Sequence, residues 1–348
     1  MLMENTRPKQ STIPSIMRAL ELDAYKGQLR LIEKPVPHPG MGEVLIQMAA
    51  APINPGDFLF MRGEYGVKKP LPVVPGLEGS GTVVAAGSGL VPRWLMGKRV
   101  ACASSKERDG TWAEYMVTSA MLCVPLLKSV SLEQGALMLV NPMSAWALMD
   151  IARRGKHKAL ANTASASALG RMILRLGQRF NYPVVHIVRR QAQVDLLRNM
   201  GAEYVLNSSD PEFDKQLRET FRALDVTLAL DAIAGEMTGH LLDALPRGGS
   251  VILYGGLSST TVVTSGLPLV FDKKSICGFY LIDWLSSLNV MRLMTTTFSI
   301  QRLLATDLQT SVRARIPLEH GIAALETYAS EMTQGKFLIV PGNHITER

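Results

Sequence analysis

Cysteine is scarce in this chain. There are three in 348 residues, Cys102, Cys123 and Cys277, and no two form a C-x-x-C pair. That excludes a closed four-cysteine zinc lobe and a disulfide framework, and it suits reduced thiols inside a cell. Histidine is also sparse, and His38, His157, His186, His240, His320 and His344 share no ligand spacing. Each reads as structural or surface, and no metal is expected. No apolar run approaches the ~20 residues of a membrane span. Residues 1–15 are polar and carry Arg7 and Lys9 without the apolar stretch of a secretory signal. The expectation is an N-terminal extension over 1–16 on a cytoplasmic protein, with a mitochondrial transit peptide as the alternative. Charged residues make up 19% and the net charge is +7. No dense basic run interleaves with aromatics, so nucleic acid is not expected as a partner, and the missing span leaves no membrane expected either. A positive field suits a phosphorylated cofactor or an acidic small-molecule substrate.

What is present is ample apolar material, 47% of the chain, enough to bury a large core, and the length of 348 residues suggests about two domains. From residue 17 to about 140, short apolar runs at 44–47, 81–85, 99–103 and 113–117 are broken by Pro and Gly, which reads as an antiparallel β-domain. After Asn141 the rhythm changes. Strands are predicted at 158–163, 183–188, 203–206, 226–231, 250–254 and 275–279, with helices at 168–179, 191–200, 211–222 and 237–245 between them. This βα alternation predicts a doubly wound parallel sheet of the kind that binds dinucleotides. A helical segment over 283–308, a strand at 312–316, a helix at 318–333 and a strand at 337–340 follow. The expected division is α/β: a β-rich domain over 17–143 with 285–348, and a cofactor domain over 144–284.

The first strand of the alternating part runs into Asn162-Thr-Ala-Ser-Ala-Ser-Ala-Leu-Gly170. A strand-to-helix turn that lets backbone approach a pyrophosphate is normally glycine-rich. Here small residues stand in, with Ser165, Ser167 and Gly170 as candidate cofactor contacts, and an ordinary Ala/Ser turn is the alternative. About 20 residues on, such a fold places the group that meets the adenosine ribose. This chain has Arg189 and Arg190 there. Guanidinium groups suit a 2′-phosphate and cannot accept from a 2′-hydroxyl, so NADPH is expected. Asp231, at a strand end, and Tyr254-Gly255-Gly256, at the next, are further candidates, as is Lys336; each could equally make a turn or end a strand.

Further motifs carry a family resemblance. They are Lys34-Pro-Val-Pro-His-Pro-Gly40, Asn54-Pro-Gly-Asp57, Pro75-Gly-Leu-Glu-Gly-Ser-Gly81, Gly97-Lys-Arg-Val100 and Gly335-Lys336. Together they resemble the medium-chain dehydrogenase/reductase superfamily over roughly residues 17–342. The resemblance implies a GroES-like catalytic domain and a Rossmann cofactor domain. The zinc enzymes of that superfamily carry Gly-His-Glu where this chain reads Gly76-Leu77-Glu78, and Leu77 cannot bind a metal. The chain therefore resembles the zinc-free branches, the quinone oxidoreductases and the trans-2-enoyl-thioester reductases. Gly63-Glu-Tyr-Gly66, Gly110-Thr-Trp112 and residues 140–146, 253–256 and 271–279 lean towards the second. Pro75 and Leu77 depart from it.

The enoyl-thioester resemblance implies Tyr65 as proton donor, and a packed loop tyrosine is the alternative. Asn54 is the second candidate, able to orient a ribose or a carbonyl, although Asn-Pro is also a plain turn former and Asp57 a candidate helix cap. The expected activity is NADPH-dependent, metal-free reduction of an α,β-unsaturated carbonyl, an enoyl thioester or enone. Quinone reduction is the alternative, and NADPH binding without turnover the second. The zinc-free branches imply a homodimer, with the last cofactor-domain strand as a pairing edge.

Overall fold

The computed structural model describes residues 13–259, 261–331 and 335–342. Most of the expected N-terminal extension, and residues 332 and 333 of the expected last helix, lie outside them. The described chain divides into two units. Unit 1 holds residues up to 125 with 316–324 and 339–342; unit 2 holds 126–315 with 325–338.

Unit 1 is antiparallel. β1 (Ile16–Leu22) and β2 (Leu29–Pro35) form a hairpin. β3 (Glu43–Pro52) is the spine of the main sheet, flanked by β4 (Glu78–Ala86) and β6 (Tyr115–Ser119). β5 (Arg99–Ala103) joins β4 to β7 (Cys123–Pro125). Alternate residues Val44, Ile46 and Met48 of β3 meet Val83, Val100 and Met116 in one core, as a period of two requires. Gly81 lets β3 and β4 close up. A Cβ there would lie 2.0 Å from the Gln47 carbonyl oxygen, so no other residue fits without shifting backbone. Two short helices leave the sheet, α1 (Pro55–Met61) before β4 and α2 (Leu90–Leu95) after it.

Unit 2 opens with α3 (Leu132–Ala136) and α4 (Asn141–Arg154) and then alternates as the sequence predicts. The strands are β8 (Ala159–Asn162), β9 (Val184–Val188), β10 (Tyr204–Asn207), β11 (Val226–Asp231), β12 (Ser250–Leu253) and β13 (Ser275–Gly278). Between them lie α5 (Ala168–Arg179), α6 (Gln191–Asn199), α7 (Phe213–Leu224), α8 (Glu236–Ala244) and α9 (Leu267–Phe271). The sheet order is β10-β9-β8-β11-β12-β13 and every pairing is parallel. Counted from β8 this is 3-2-1-4-5-6, the dinucleotide-binding order. Both faces of the central strands are covered, so β8, β9 and β11 are buried along almost all their length: Phe213, Leu217, Phe221, Leu241 and Leu242 pack on one cluster, Leu174, Val194 and Leu197 on another.

The single helical segment predicted over 283–308 is two helices, α10 (Leu281–Ser286) and α11 (Val290–Leu303). The Asn289 side chain accepts from the Arg292 N–H at 2.9 Å, capping α11 and ending the continuity. β14 (Val312–Pro317) follows as expected. The last expected helix begins as a 3₁₀ turn at Leu318–His320 before α12 (Gly321–Glu331), and β15 (Lys336–Val340) closes the described chain.

His186 sits in the middle of β9, 3% exposed, with Nδ1 3.2 Å from Ser165 Oγ. The Ser165 hydroxyl donates to Asn162 O at 2.7 Å, so Nδ1 is the donor to Oγ. Burial lowers its pKa from 6.5 to about 4. Below pH 6.5 the unfolded chain takes a proton that the folded chain refuses until about pH 4, so stability falls with pH across that window. The loss amounts to about 2–3 kcal/mol. His186→Gln is expected to remove it. Urea denaturation at about pH 7 and about pH 4.5 checks this, and an equal loss in variant and wild type would refute it.

Candidate active site

In unit 1 the sequence candidates gather at the start of α1. Asn54 is the residue before the helix, and Asp57 is its third residue rather than its cap. The Asp57 carboxylate accepts from the Asn54 N–H at 2.7 Å and from the Leu77 N–H at 3.2 Å. One fully buried carboxylate thus fastens the helix entry to the strand β4 that follows. The Asn54 side chain donates from Nδ2 to Glu78 Oε1 at 2.9 Å, and both residues are buried. Sequence reasoning passed over Glu78 as a functional residue; its only signal was its place next to Leu77. Tyr65 lies on the loop after α1, half-buried, its N–H donating to Leu59 O at 3.2 Å. A Cβ on Gly56 would lie 3.0 Å from Leu77 Cδ1 and 3.4 Å from Tyr65 Cε2. Tyr65 and Leu77 therefore flank the same point over the first turn of α1. Gly76, with φ of +100°, gives the tight approach to Thr111 that leads β4 into place, and Thr111 Oγ1 donates to Glu78 O at 2.8 Å. Among the described residues, no group of three His, Cys, Asp or Glu side chains is placed to hold a metal ion.

In unit 2 the candidates sit at the C-terminal ends of β8, β9, β11 and β12, where ligands bind in such sheets. Gly170 lies against the backbone of Ser165, and a Cβ there would stand 2.5 Å from the Ser165 Cα. The turn between β8 and α5 is therefore closely wound and bare. Ser167 caps α5, its hydroxyl accepting from the Gly170 N–H at 3.1 Å. A bare turn at the N-terminus of a twelve-residue helix fits a pyrophosphate. Ser165 is buried and turned inward: its Oγ donates to Asn162 O and accepts from Asn162 Nδ2 at 2.9 Å. Tyr254 reaches over from the end of β12 and donates to Asn162 Oδ1 at 2.9 Å, and burial holds its phenol pKa well above the ordinary value. Gly255 packs against Ala232, where a Cβ would come within 3.0 Å of the carbonyl oxygen; Gly256 follows it, half-buried.

Asp231 is fully buried, and its carboxylate is held by protein donors. Thr163 Oγ1 at 2.8 Å and the Ile233 N–H at 2.9 Å meet Oδ1, and Thr238 Oγ1 at 2.8 Å meets Oδ2. Neither threonine was singled out from the sequence, since an isolated hydroxyl carries no spacing signal. Arg189 and Arg190 are exposed at the end of β9, at the mouth of α6; their backbone N–H groups both lie 3.3 Å from Gln193 Oε1. Lys336 stands apart from these residues. It is buried at the start of β15, with Nζ 2.9 Å from the Tyr328 hydroxyl.

The two units correspond to two matched families. Residues 40–128 match the alcohol dehydrogenase GroES-like domain, and 168–296 match the zinc-binding dehydrogenase family. A mitochondrial enoyl-[acyl-carrier-protein] reductase of Caenorhabditis elegans is 30% identical over 74% of this chain and 74% of its own length. A Mesorhizobium loti protein assigned as an NADPH:quinone reductase superposes with a TM-score of 0.87 at 36% identity, covering 95% of this chain and all of that one. One from Bacillus thuringiensis, similarly assigned, gives 0.83 at 25% identity over 94% of this chain and 99% of that one. Sheet order, turn and relatives agree: the chain belongs to the medium-chain dehydrogenase/reductase superfamily of nicotinamide-dependent oxidoreductases.

Proposed function

We propose that this protein reduces α,β-unsaturated carbonyls, enoyl thioesters or enones, using NADPH and no metal, with Tyr65 as proton donor. The observation that carries the reading is the pairing of Tyr65 with Leu77 over the first turn of α1. Leu77 stands where the zinc enzymes have a histidine ligand, and it offers only carbon. A reduced conjugated carbonyl needs a proton at the α-carbon and stabilisation of the oxygen. The Tyr65 phenol supplies the O–H, and Asn54, oriented by Glu78, supplies a fixed amide. When bound, NADPH supplies the hydride that goes to the β-carbon. The Ser167-capped turn holds its pyrophosphate, and Arg189 and Arg190 receive the 2′-phosphate. Gly255 and Gly256 leave bare backbone beside the nicotinamide end. Asp231, Ser165 and Tyr254 act as supports for these segments, and Lys336 as a structural cation.

Quinone reduction is the second reading, favoured by the likeness to the Mesorhizobium loti protein. A quinone takes its protons at oxygen and does not need a donor aimed at carbon. Tyr65→Phe is therefore the discriminating variant. On enoyl thioesters it is expected to lower kcat by about 10²-fold or more, with NADPH affinity unchanged. Loss of NADPH absorbance with crotonyl- and decenoyl-thioesters, and with benzoquinone, measures this. An undiminished thioester rate in Tyr65→Phe rejects Tyr65, and turnover of quinones alone establishes the second reading.

Arg189→Ala with Arg190→Ala is expected to weaken NADPH by about 10- to 100-fold and to leave NADH nearly unchanged, since charge-assisted bonds to the 2′-phosphate are lost. Fluorescence titration with both nucleotides decides. Equal effects on the two would remove the 2′-phosphate assignment.

A homodimer is proposed through β13. It is an edge strand, it is largely exposed, and Leu267, Val270 and Phe271 of the neighbouring α9 are 64%, 68% and 69% exposed. A second copy pairing there would cover both the open hydrogen bonds and the apolar flank. Light scattering is expected to give twice the chain mass for the wild type and a monomer for Val270→Asp with Phe271→Asp; a monomeric wild type would end the proposal.

A further inference from the structure

Unit 1 carries a second surface that the chemistry above does not use. Met41 and Leu90 are each 86% exposed and Met121 is 79% exposed, with Trp94 and Met96 exposed beside them. Backbone hydrogen bonds tie the three contributing segments together. The Gly42 N–H donates to Ser88 O at 2.9 Å, and the Ala120 N–H donates to Gly42 O at 2.9 Å. The helix α2 packs on the 3₁₀ turn Ala120–Leu122. These side chains therefore belong to one patch, formed because α2 buries only Pro92 and Leu95 and turns the rest of its residues outward.

The charges on the α2 side of the patch have one sign. Residues 88–99 include Arg93, Lys98 and Arg99 and no acidic residue. The Lys98 ammonium lies 3.6 Å from the centre of the Trp94 ring. Glu43, the carboxylate after Gly42, is held in the fork of Arg108 at 2.7 and 2.9 Å, and that partner keeps its pKa below the usual carboxylate value. A surface that takes a protein helix is an apolar groove. Here the apolar side chains project almost free of neighbours, as wedges, beside a tryptophan topped by a cation.

We propose that this face docks unit 1 on an anionic lipid surface. Met41, Leu90 and Met121 enter the boundary between headgroups and acyl chains, Trp94 lies at the headgroup level, and Arg93 and Lys98 meet the lipid phosphates. No helix among the described residues is long and apolar enough to cross a membrane, and docking of this kind needs none. The expectation of no membrane partner rested on the missing span; an adsorbed surface is a different association, one that an exposed patch reveals and a hydropathy window does not.

Flotation of the full chain with vesicles tests it. Wild type is expected to float with phosphatidylcholine vesicles containing phosphatidylglycerol, to float far less with phosphatidylcholine alone, and to be released by salt. Leu90→Ser with Met121→Ser is expected to weaken the partition by at least about tenfold. Arg93→Gln with Lys98→Gln, which leaves the apolar side chains in place, is expected to weaken binding to the anionic vesicles alone. Two results overturn the proposal: a wild type that does not float with anionic vesicles, as a protein-docking face would behave, or a Leu90→Ser, Met121→Ser variant that floats like wild type.

Discussion

The unit 2 sheet depends on one buried charge. Asp231 ends β11 with no exposure, and an unpartnered carboxylate there would cost many kcal/mol. Its oxygens are met by Thr163 beyond β8, by the Ile233 N–H and by Thr238 of α8. The Thr163 hydroxyl also accepts from the Ala232 N–H at 2.8 Å, so the two chain segments leaving β8 and β11 are tied twice. β8 and β11 are the central pair, the point at which the strand order reverses and the crevice of such sheets opens. A carboxylate that must be satisfied therefore ties together the C-terminal ends of β8 and β11. In this position Asp231 works by holding the protein to itself.

The same economy explains a turn with so few glycines. Ala164 adopts a φ of +47°, a conformation that glycine would take without strain. Here side chains hold it. Tyr254 donates to Asn162, Asn162 donates to Ser165, and the neutral His186 ring donates to the same hydroxyl. This chain of bonds runs from β12 through β8 to β9 and places the turn between them. Each member is buried or nearly so, and a buried polar group is stabilising only when all its partners are in place. Only Gly170 is kept, because its neighbour is backbone that cannot move aside.

The βα order of unit 2 was legible because the rhythm of the sequence changes after Asn141 to alternating strands and helices, and the helix expected over 168–179 is α5 to the residue. The hairpin β1–β2 was not singled out, since half-exposed alternation in 16–35 is weak beside the Pro-rich stretch that follows. The break at Asn289 was missed because a cap inside a long apolar segment needs the turn geometry to show itself. Among the candidate site residues, the glycines and arginines were singled out through spacing. Thr163, Thr238 and Glu78 were not, because their roles are contacts across 68, 7 and 24 residues of chain, and single polar side chains announce nothing at that distance. Lys336 was a candidate because it follows a family glycine; burial against Tyr328 gives it a plainer occupation.

On the proposed reading, the region around Tyr65 shows what a site working without a metal would require of its scaffold. A zinc ion polarises a carbonyl wherever its ligands hold it, while a phenol, with an ordinary pKa near 10, acts only where geometry brings it to the reacting atom. The proposed role of Tyr65 therefore rests on rigidity nearby. Asp57 binds the backbone on both sides of the excursion, at Asn54 and at Leu77, and Asn54 is fixed in turn by Glu78. Residues 54–77 leave and return through one hydrogen-bonded knot. Leu77 then does more than omit a ligand. Its side chain fills the space beside Tyr65 above Gly56, where a polar group would draw water to the phenol. On the proposed reading, excluding that water keeps the tyrosine proton for the carbon that accepts it.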